Sequence, residues 1–233
     1  MRFVLVHSPV VGPSTWRWVG DALRRAGHDA IVPDLRGQAV AGDPVAFARA
    51  AADAVPIAGA DDETIVVGHS GAGVVLPLIA DALAHPPRCL VFVDSGIPPE
   101  SGTLDAAGDF LGTLRELATD GVLPAWSRWW GDGVLDALIA DDERRRIVEA
   151  ELPRVPLAFY EKPFAVPPGW SATSGGYVLL SDAYRADARR ATSRGWPVVQ
   201  RIGAHLDIVN DEDAIAGVLR GLADAARRPR TSS

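Results

Sequence analysis

Thr64-Ile65-Val66-Val67-Gly68-His69-Ser70-Gly71-Ala72-Gly73-Val74-Val75 is the stretch whose reading decides the fold. Its β-branched apolar run suits a strand buried on both faces, and the run stops at Gly68. A serine follows two residues on, and small residues then open a second apolar run of helical length. The order is strand, tight turn, helix. A serine on such a turn has strained backbone geometry and projects its Oγ above the carboxyl end of a sheet, with a helix N-terminus behind it. Side chains at the turn would meet the adjoining backbones, so the neighbours must be small. The pattern matches Gly-x-Ser-x-Gly, except that Ala72 stands at the last glycine and Gly73 comes one residue late. A plainer reading also fits these residues: Gly68 and Gly71 shape the turn and Ser70 caps the helix.

The same rhythm continues on either side. Residues 3–6 read as a buried strand ending in His7-Ser8-Pro9, and Ser14 reads as the cap of a helix that Gly27 stops. Residues 30–33 form a second short strand, with Asp34-Leu35-Arg36-Gly37 turning out of it. Asp43-Pro44 supplies an N-cap and first helical position for a helix to about residue 55. The helix after Ser70 is expected to run to about residue 84 with a kink at Pro77, and residues 89–93 make a strand ending in Asp94-Ser95-Gly96. Alternation of this kind gives right-handed crossovers and an α/β fold, a mostly parallel twisted sheet with helices on both faces. Ligands then bind outside the carboxyl ends of the strands, the edge that receives His7, Asp34, Ser70 and Asp94.

Between residues 98 and 170 the rhythm breaks. A helical stretch over 104–117, the aromatic group Trp126, Trp129 and Trp130, a charged helix over 141–151 and a proline-rich exit follow one another without a strand signal. The segment reads as a helical cap or lid inserted between two parts of one core, residues 1–97 and 171–233. Its tryptophans line an apolar pocket or form the insertion's own small core. Strand and helix then alternate again: a strand over 177–180, a helix over 182–194, a last strand over 197–202 and a closing helix over 211–226. His205 falls on the loop between the last two, and a polar tail from Arg227 is expected to be disordered.

Composition narrows the function. A net charge of −7 over 233 residues, with no basic run, speaks against nucleic acid or an anionic membrane surface as partner. The single cysteine, Cys89, sits in an apolar run and reads as a core residue. The N-terminal apolar run is too short for a signal-peptide core and no run reaches membrane-spanning length, so a cytoplasmic protein is expected, as monomer or homodimer. The glycines around Ser70 do not have dinucleotide-binding spacing, and no Cys/His cluster has metal-ligand spacing. Neither cofactor nor metal is expected; the partner is a small apolar molecule.

With strand, serine turn, strand, insertion, strand, strand and histidine in this order, the chain resembles the α/β-hydrolase fold over almost its whole length. It is most similar to the small hydrolases related to plant methyl esterases and hydroxynitrile lyases. The resemblance rests on Phe3-Val4-Leu5-Val6-His7 with Gly12 and Trp16, Ala26-Gly27-His28 leading to Pro33-Asp34-Leu35, Gly68-His69-Ser70, and Gly203-Ala204-His205. It implies that Ser70 is a nucleophile on a nucleophile elbow and that His205 is its general base and then acid. A hydroxyl needs a neighbouring imidazole to take its proton, and the imidazole needs a carboxylate on its other N–H. Two carboxylates compete for that place. Many relatives hold the acid after the penultimate strand, where Asp182 follows Ser181, a residue that also reads as a helix N-cap. Asp94 stands at the alternative position used in some haloalkane dehalogenases, and it is the favoured reading. His7, His28, His69 and His85 read as structural, Asp34 as a turn former, and Asp207 as too near His205 to orient it.

The resemblance also marks two departures. One oxyanion-hole N–H would come from Gly71, but the second position is Pro9, which has none, so either Ser8 or Val10 supplies the donor or the reaction does not build a full oxyanion. Ala72 in place of glycine is the milder change. The leading expectation is a serine hydrolase of a small, largely apolar ester, thioester or lactone through an acyl-enzyme. A lyase or cyclase using Ser70 and His205 as a proton relay is the alternative, and a non-catalytic small-molecule-binding protein is a third.

Overall fold

Three runs too rich in Val, Ile, Leu and Phe to face water on either side, and a fourth that opens with Ser174-Gly175-Gly176 and turns apolar at Tyr177, build the centre of the molecule. In the computed structural model, which describes residues 1–57, 63–105 and 108–227 (side chains of 108 and 109 excepted), they are β1 (Arg2–Val6), β3 (Thr64–His69), β4 (Cys89–Val93) and β7 (Ser174–Leu179). All but the first residue of each is buried, and β4 is buried throughout. With β2 (Asp29–Ile31) and β8 (Val198–Gln200) at the edges they form a six-stranded sheet in the order β2-β1-β3-β4-β7-β8, parallel at every pairing. The strand order reverses direction between β1 and β3, which opens a crevice beside the residues that follow them, His7–Val10 and Ser70.

Local chemistry explains most element boundaries. Asp43 caps helix Pro44–Asp53, its carboxylate accepting from the Val45 and Ala46 N–H groups. Gly27, at φ 82°, ends the turn after helix Ser14–Arg25. Ser14 does not cap that helix as the sequence suggested. It is the first helical residue, behind Pro13, and its Oγ is buried without a partner. The capping acceptor comes from far along the chain, because Glu151 Oε2 accepts from the Ser14 N–H at 2.8 Å. Glu151→Ala is therefore expected to destabilise the fold by about 1–2 kcal/mol, the usual worth of a lost cap, measured by urea unfolding.

The segment after Ser70 is not one kinked helix. A 3-10 helix, Ser70–Val75, leads into helix Leu76–Ala82, and Pro77 lies in the first turn of the latter, where its missing N–H is not needed. Tight packing accounts for the glycines on either side of the serine. A Cβ at Gly68 would come within 2.9 Å of Leu76 Cδ2. One at Gly73 would collide with Ser95 Oγ and lie 2.8 Å from the Gly96 carbonyl, so the late glycine is the one that lets the turn sit against the end of β4.

Residues 98–170 contain the helices Gly108–Leu117, Val134–Leu138, Asp142–Ala150 and Ala158–Glu161, and a 3-10 turn at Trp126–Arg128. They also contain strands, contrary to expectation: β5 (Gly102–Leu104) pairs antiparallel with β6 (Phe164–Val166) at the base of the segment. Three residues per strand is too little for alternation to be visible in a sequence. The start of the predicted helix, at residue 104, belongs to β5. Cys89 is fully buried, and burial pushes its thiol up to about 12, as suits a core residue. Among the described residues no helix is long and apolar enough to cross a membrane. Residues 228–233 of the expected tail lie outside the described residues, whereas Arg227 pairs with Glu63.

Candidate active site

Backbone strain in this molecule concentrates at one edge of the sheet. Three described non-glycine residues have positive φ, and two of them, Ser70 at 55° and Asp94 at 43°, terminate the neighbouring strands β3 and β4. Such conformations cost of order 1–3 kcal/mol each and persist where the surroundings hold them. At Asp94 the restraint is visible. The Asp94 N–H donates to Val178 O at 2.8 Å, and the next residue is tied to β7 by the Tyr177 hydroxyl, which donates to Ser95 O at 2.7 Å.

The Asp94 carboxylate is completely buried and fully used. Oδ1 accepts from the Leu180 and Ser181 N–H groups, both at 2.9 Å. Oδ2 accepts from Ser181 Oγ at 2.6 Å and from His205 Nδ1 at 2.7 Å. Burial by itself would raise its pKa, but the bonds from His205 and Ser181 outweigh that and hold it below the ordinary value. Asp182, the competing carboxylate, is exposed and pairs with Arg185 at 2.7 Å. Ser181 makes no capping bond. Its hydroxyl goes to Asp94 instead, which corrects its reading as an N-cap.

His205 is held from three sides. Asp207 Oδ2 accepts from the Ala204 N–H at 3.0 Å, fixing the loop but not the ring, and the His69 ring donates from Nε2 to the His205 carbonyl at 2.9 Å. The imidazole lies 4.5 Å from the His69 ring, 5.6 Å from the near-parallel Tyr184 ring and 6.1 Å from Trp126, measured between centroids. The Tyr184 phenol also lies near enough to Ser70 for the two to interact electrostatically, although no hydrogen bond joins them. Ser70 and His205 thus share one rim, but no hydrogen bond links them in this state. The loop after β1 closes the opposite side: a Cβ at Gly71 would lie 3.1 Å from Ser8 Oγ and 3.2 Å from Pro9 Cδ. In that loop the Val11 N–H donates to Ser8 O, while the Val10 N–H has no acceptor among the described residues.

The other histidines are framework. His7 donates from Nδ1 to Ser8 O at 2.8 Å and accepts the Leu35 N–H on Nε2 at 3.0 Å, tying the loops after β1 and β2 together. Burial lowers His7 from 6.5 to about 4 and His69 from 6.5 to about 3. In the unfolded chain both take a proton near 6.5, while the folded protein keeps them neutral to lower pH, so stability falls as pH drops below 6.5. About 1.4 kcal/mol per pH unit is lost for each such group until its folded pKa is reached. Urea unfolding at pH 7 and pH 5 is expected to show a lower midpoint at pH 5.

Of the three tryptophans read as pocket residues, Trp126 and Trp129 are buried, and Trp130 packs against both while 61% exposed. Only Trp126 has a ring contact with His205. Sequence reasoning missed Ser181 and Tyr184 as neighbours of the site. Both follow a strand at the position where relatives carry the acid, and that was the signal available. Among the described residues no group of three or more His, Cys, Asp or Glu is gathered for a metal ion.

A parallel sheet carrying a strained serine after its central strand and a buried carboxylate–imidazole pair beside it defines the class of α/β-hydrolase-type enzymes. The comparisons with known proteins agree. A family model described as the alpha/beta hydrolase family matches residues 3–223, and the chain belongs to that family. It is 26% identical to the carbendazim hydrolyzing esterase of Nocardioides sp. (strain SG-4G) over 249 residues, covering 95% of this chain and 99% of the relative. The fold is shared with an extracellular alpha/beta-hydrolase from a Paenibacillus species (TM-score 0.72, 16% identity, 98% of this chain and 100% of the other). It is shared as well with a pyrethroid hydrolase from Sphingobium faniae JZ-2 (TM-score 0.74, 17% identity, 97% and 98%).

Proposed function

We propose that the protein is a serine esterase that cleaves a small, largely apolar ester, thioester or lactone through an acyl-enzyme on Ser70. The observation that carries this reading is the 2.7 Å bond between His205 Nδ1 and the buried Asp94 carboxylate. That bond fixes the imidazole in the tautomer whose Nε2 is free to take a proton, and it stabilises the imidazolium once formed. Ser70 attacks the carbonyl carbon, its proton passes to His205, and His205 returns a proton to the departing oxygen or sulfur as its bond to the carbonyl carbon breaks. Water then repeats the sequence on the acyl-enzyme. Gly71 and Val10 supply the N–H groups for the oxyanion, Val10 replacing the donor that Pro9 lacks.

In this reading residues 98–170 are the lid over the core formed by 1–97 and 171–233. Trp126 and Trp129 give the pocket its apolar wall beside Pro9, with Trp130 at its mouth. The reading also takes the protein to be cytoplasmic, cofactor-free, and monomeric or dimeric. A fluorophosphonate probe is expected to label the wild type at Ser70 and to leave Ser70→Ala unlabelled; a folded but unlabelled wild type would count against an esterase.

Pro9 supports a second reading, a lyase or cyclase that builds no full oxyanion and uses Ser70 and His205 to relay a proton. Under it, restoring an N–H through Pro9→Ala creates or raises activity on aryl esters. Under the esterase reading Val10 already serves and the substitution changes little.

A further inference from the structure

The Asp94 oxygen that holds the imidazole also carries a second donor. Strands β4 and β7 are neighbours with Val93 beside Val178, so the residues that follow them meet at the sheet edge. Leu180 and Ser181 give their N–H groups to Asp94 Oδ1, both at 2.9 Å, and Ser181 gives its hydroxyl to Oδ2 at 2.6 Å. Oδ2 accepts from His205 Nδ1 as well, at 2.7 Å. The hydroxyl and the imidazole therefore share one oxygen of a wholly buried carboxylate. A hydrogen bond to a carboxylate stabilises its charge, so the hydroxyl weakens the pull of Oδ2 on a proton held by the ring. The two backbone donors on Oδ1 keep the carboxylate in place with or without that hydroxyl.

We propose that Ser181 is a positioning residue for the His205–Asp94 pair, whose hydroxyl limits how tightly the imidazole keeps its proton and so sets the lowest pH at which the base is free. The proposal rests on the reading of His205 as the base for Ser70. An imidazole against an ionised carboxylate is favoured in its protonated form, and that form cannot take the serine proton. The Ser181 O–H takes up part of the charge on Oδ2 and leaves less of it for the ring. The other ionisable groups around the pair are held neutral or engaged elsewhere. His69, 4.5 Å from the His205 ring, is lowered by burial to about 3 and stays neutral. Tyr184 and Tyr177 are raised above the ordinary phenol value by burial and carry no charge at neutral pH. Asp207 accepts from the Ala204 N–H and the Asn210 amide, Asp187 pairs with Arg190, and Asp182 pairs with Arg185. None of these contacts involves the Ser181 hydroxyl.

Three substitutions separate the donor from the space it fills. Ser181→Ala removes both, Ser181→Cys keeps the volume with only a weak donor, and Ser181→Thr keeps the hydroxyl on a residue suited to the extended backbone here, φ −133° and ψ 159°. The rate constant of fluorophosphonate labelling is followed from about pH 5 to 9, where its acidic limb reports the base of the free enzyme. Ser181→Ala and Ser181→Cys are expected to move that limb upward by about half to one pH unit, which slows labelling below the limb roughly 3- to 10-fold and leaves the plateau above it close to wild type. Ser181→Thr is expected to keep the wild-type limb. A limb that stays or falls in Ser181→Ala, or that follows side-chain volume instead of the hydroxyl, would overturn the proposal and leave Ser181 as packing. So would a uniform loss across the whole pH range. The midpoint of the limb does not depend on how much of a variant is folded, so a less stable variant still gives an answer. A wild type that is unlabelled, or labelled without an acidic limb, would overturn the reading of His205 as base and this proposal with it, which distinguishes the two failures.

Discussion

Ser70→Ala is expected to reduce kcat/KM on a small aryl ester by about 10⁶-fold while leaving the melting temperature nearly unchanged. The size follows from the role: without the hydroxyl there is no covalent route, and what remains is the binding and oxyanion stabilisation that water can exploit. Stability should hold because the side chain is only half-buried and alanine meets the positive φ of 55° at a cost like that of serine. A loss of less than about tenfold would show that Ser70 is the turn-shaping cap of the plainer reading and that another group does the chemistry.

Asp94→Asn is expected to lower kcat about 10⁴-fold, and Asp182→Asn to leave it unchanged. Every hydrogen-bonding neighbour of the Asp94 carboxylate is a donor: two backbone N–H groups, one hydroxyl and one imidazole N–H. An amide offers one oxygen to these four and turns an NH₂ toward two of them. Either the backbone donors are orphaned or the imidazole must flip its tautomer, which removes the basic nitrogen from the side facing Ser70. The same substitution should therefore also cost stability, by about 1–3 kcal/mol for the buried donors left unpaired. Asp182 makes only an exposed pair with Arg185, of small worth in water. Comparing kcat of the two variants separates the two acid positions that the sequence left in competition.

What could be read from the chain and what could not divides along physical lines. β1, β3, β4 and the second half of β7 announce themselves because a strand covered on both faces is apolar throughout, and a run of that kind needs no partner to be recognised; Ser174-Gly175-Gly176, the first half of β7, carries no such signal. Asp43 was legible for a similar reason, since cap and capped groups lie within three residues. The cap on Ser14 was not, because its acceptor, Glu151, is 137 residues away. β5 and β6 escaped notice because three residues carry no period. At the site, Ser70 and His205 were marked by the turn and the loop that carry them. The choice of Asp94 required a contact across 111 residues, and Ser181 concealed it by standing where a cap or an acid is equally at home. Tyr184 was signalled only by its place just after β7; its contact with the imidazole is a ring stacking against a loop from another part of the sheet, which spacing does not show.

Rapid-quench mass spectrometry of the wild type with a p-nitrophenyl ester puts the central claim to its most direct test. The predicted result is a transient mass increase of one acyl group on the peptide containing Ser70, which persists longer in His205→Ala if it forms there at all. Steady turnover with no acylated peptide, or an acyl group on any other residue, would contradict the account.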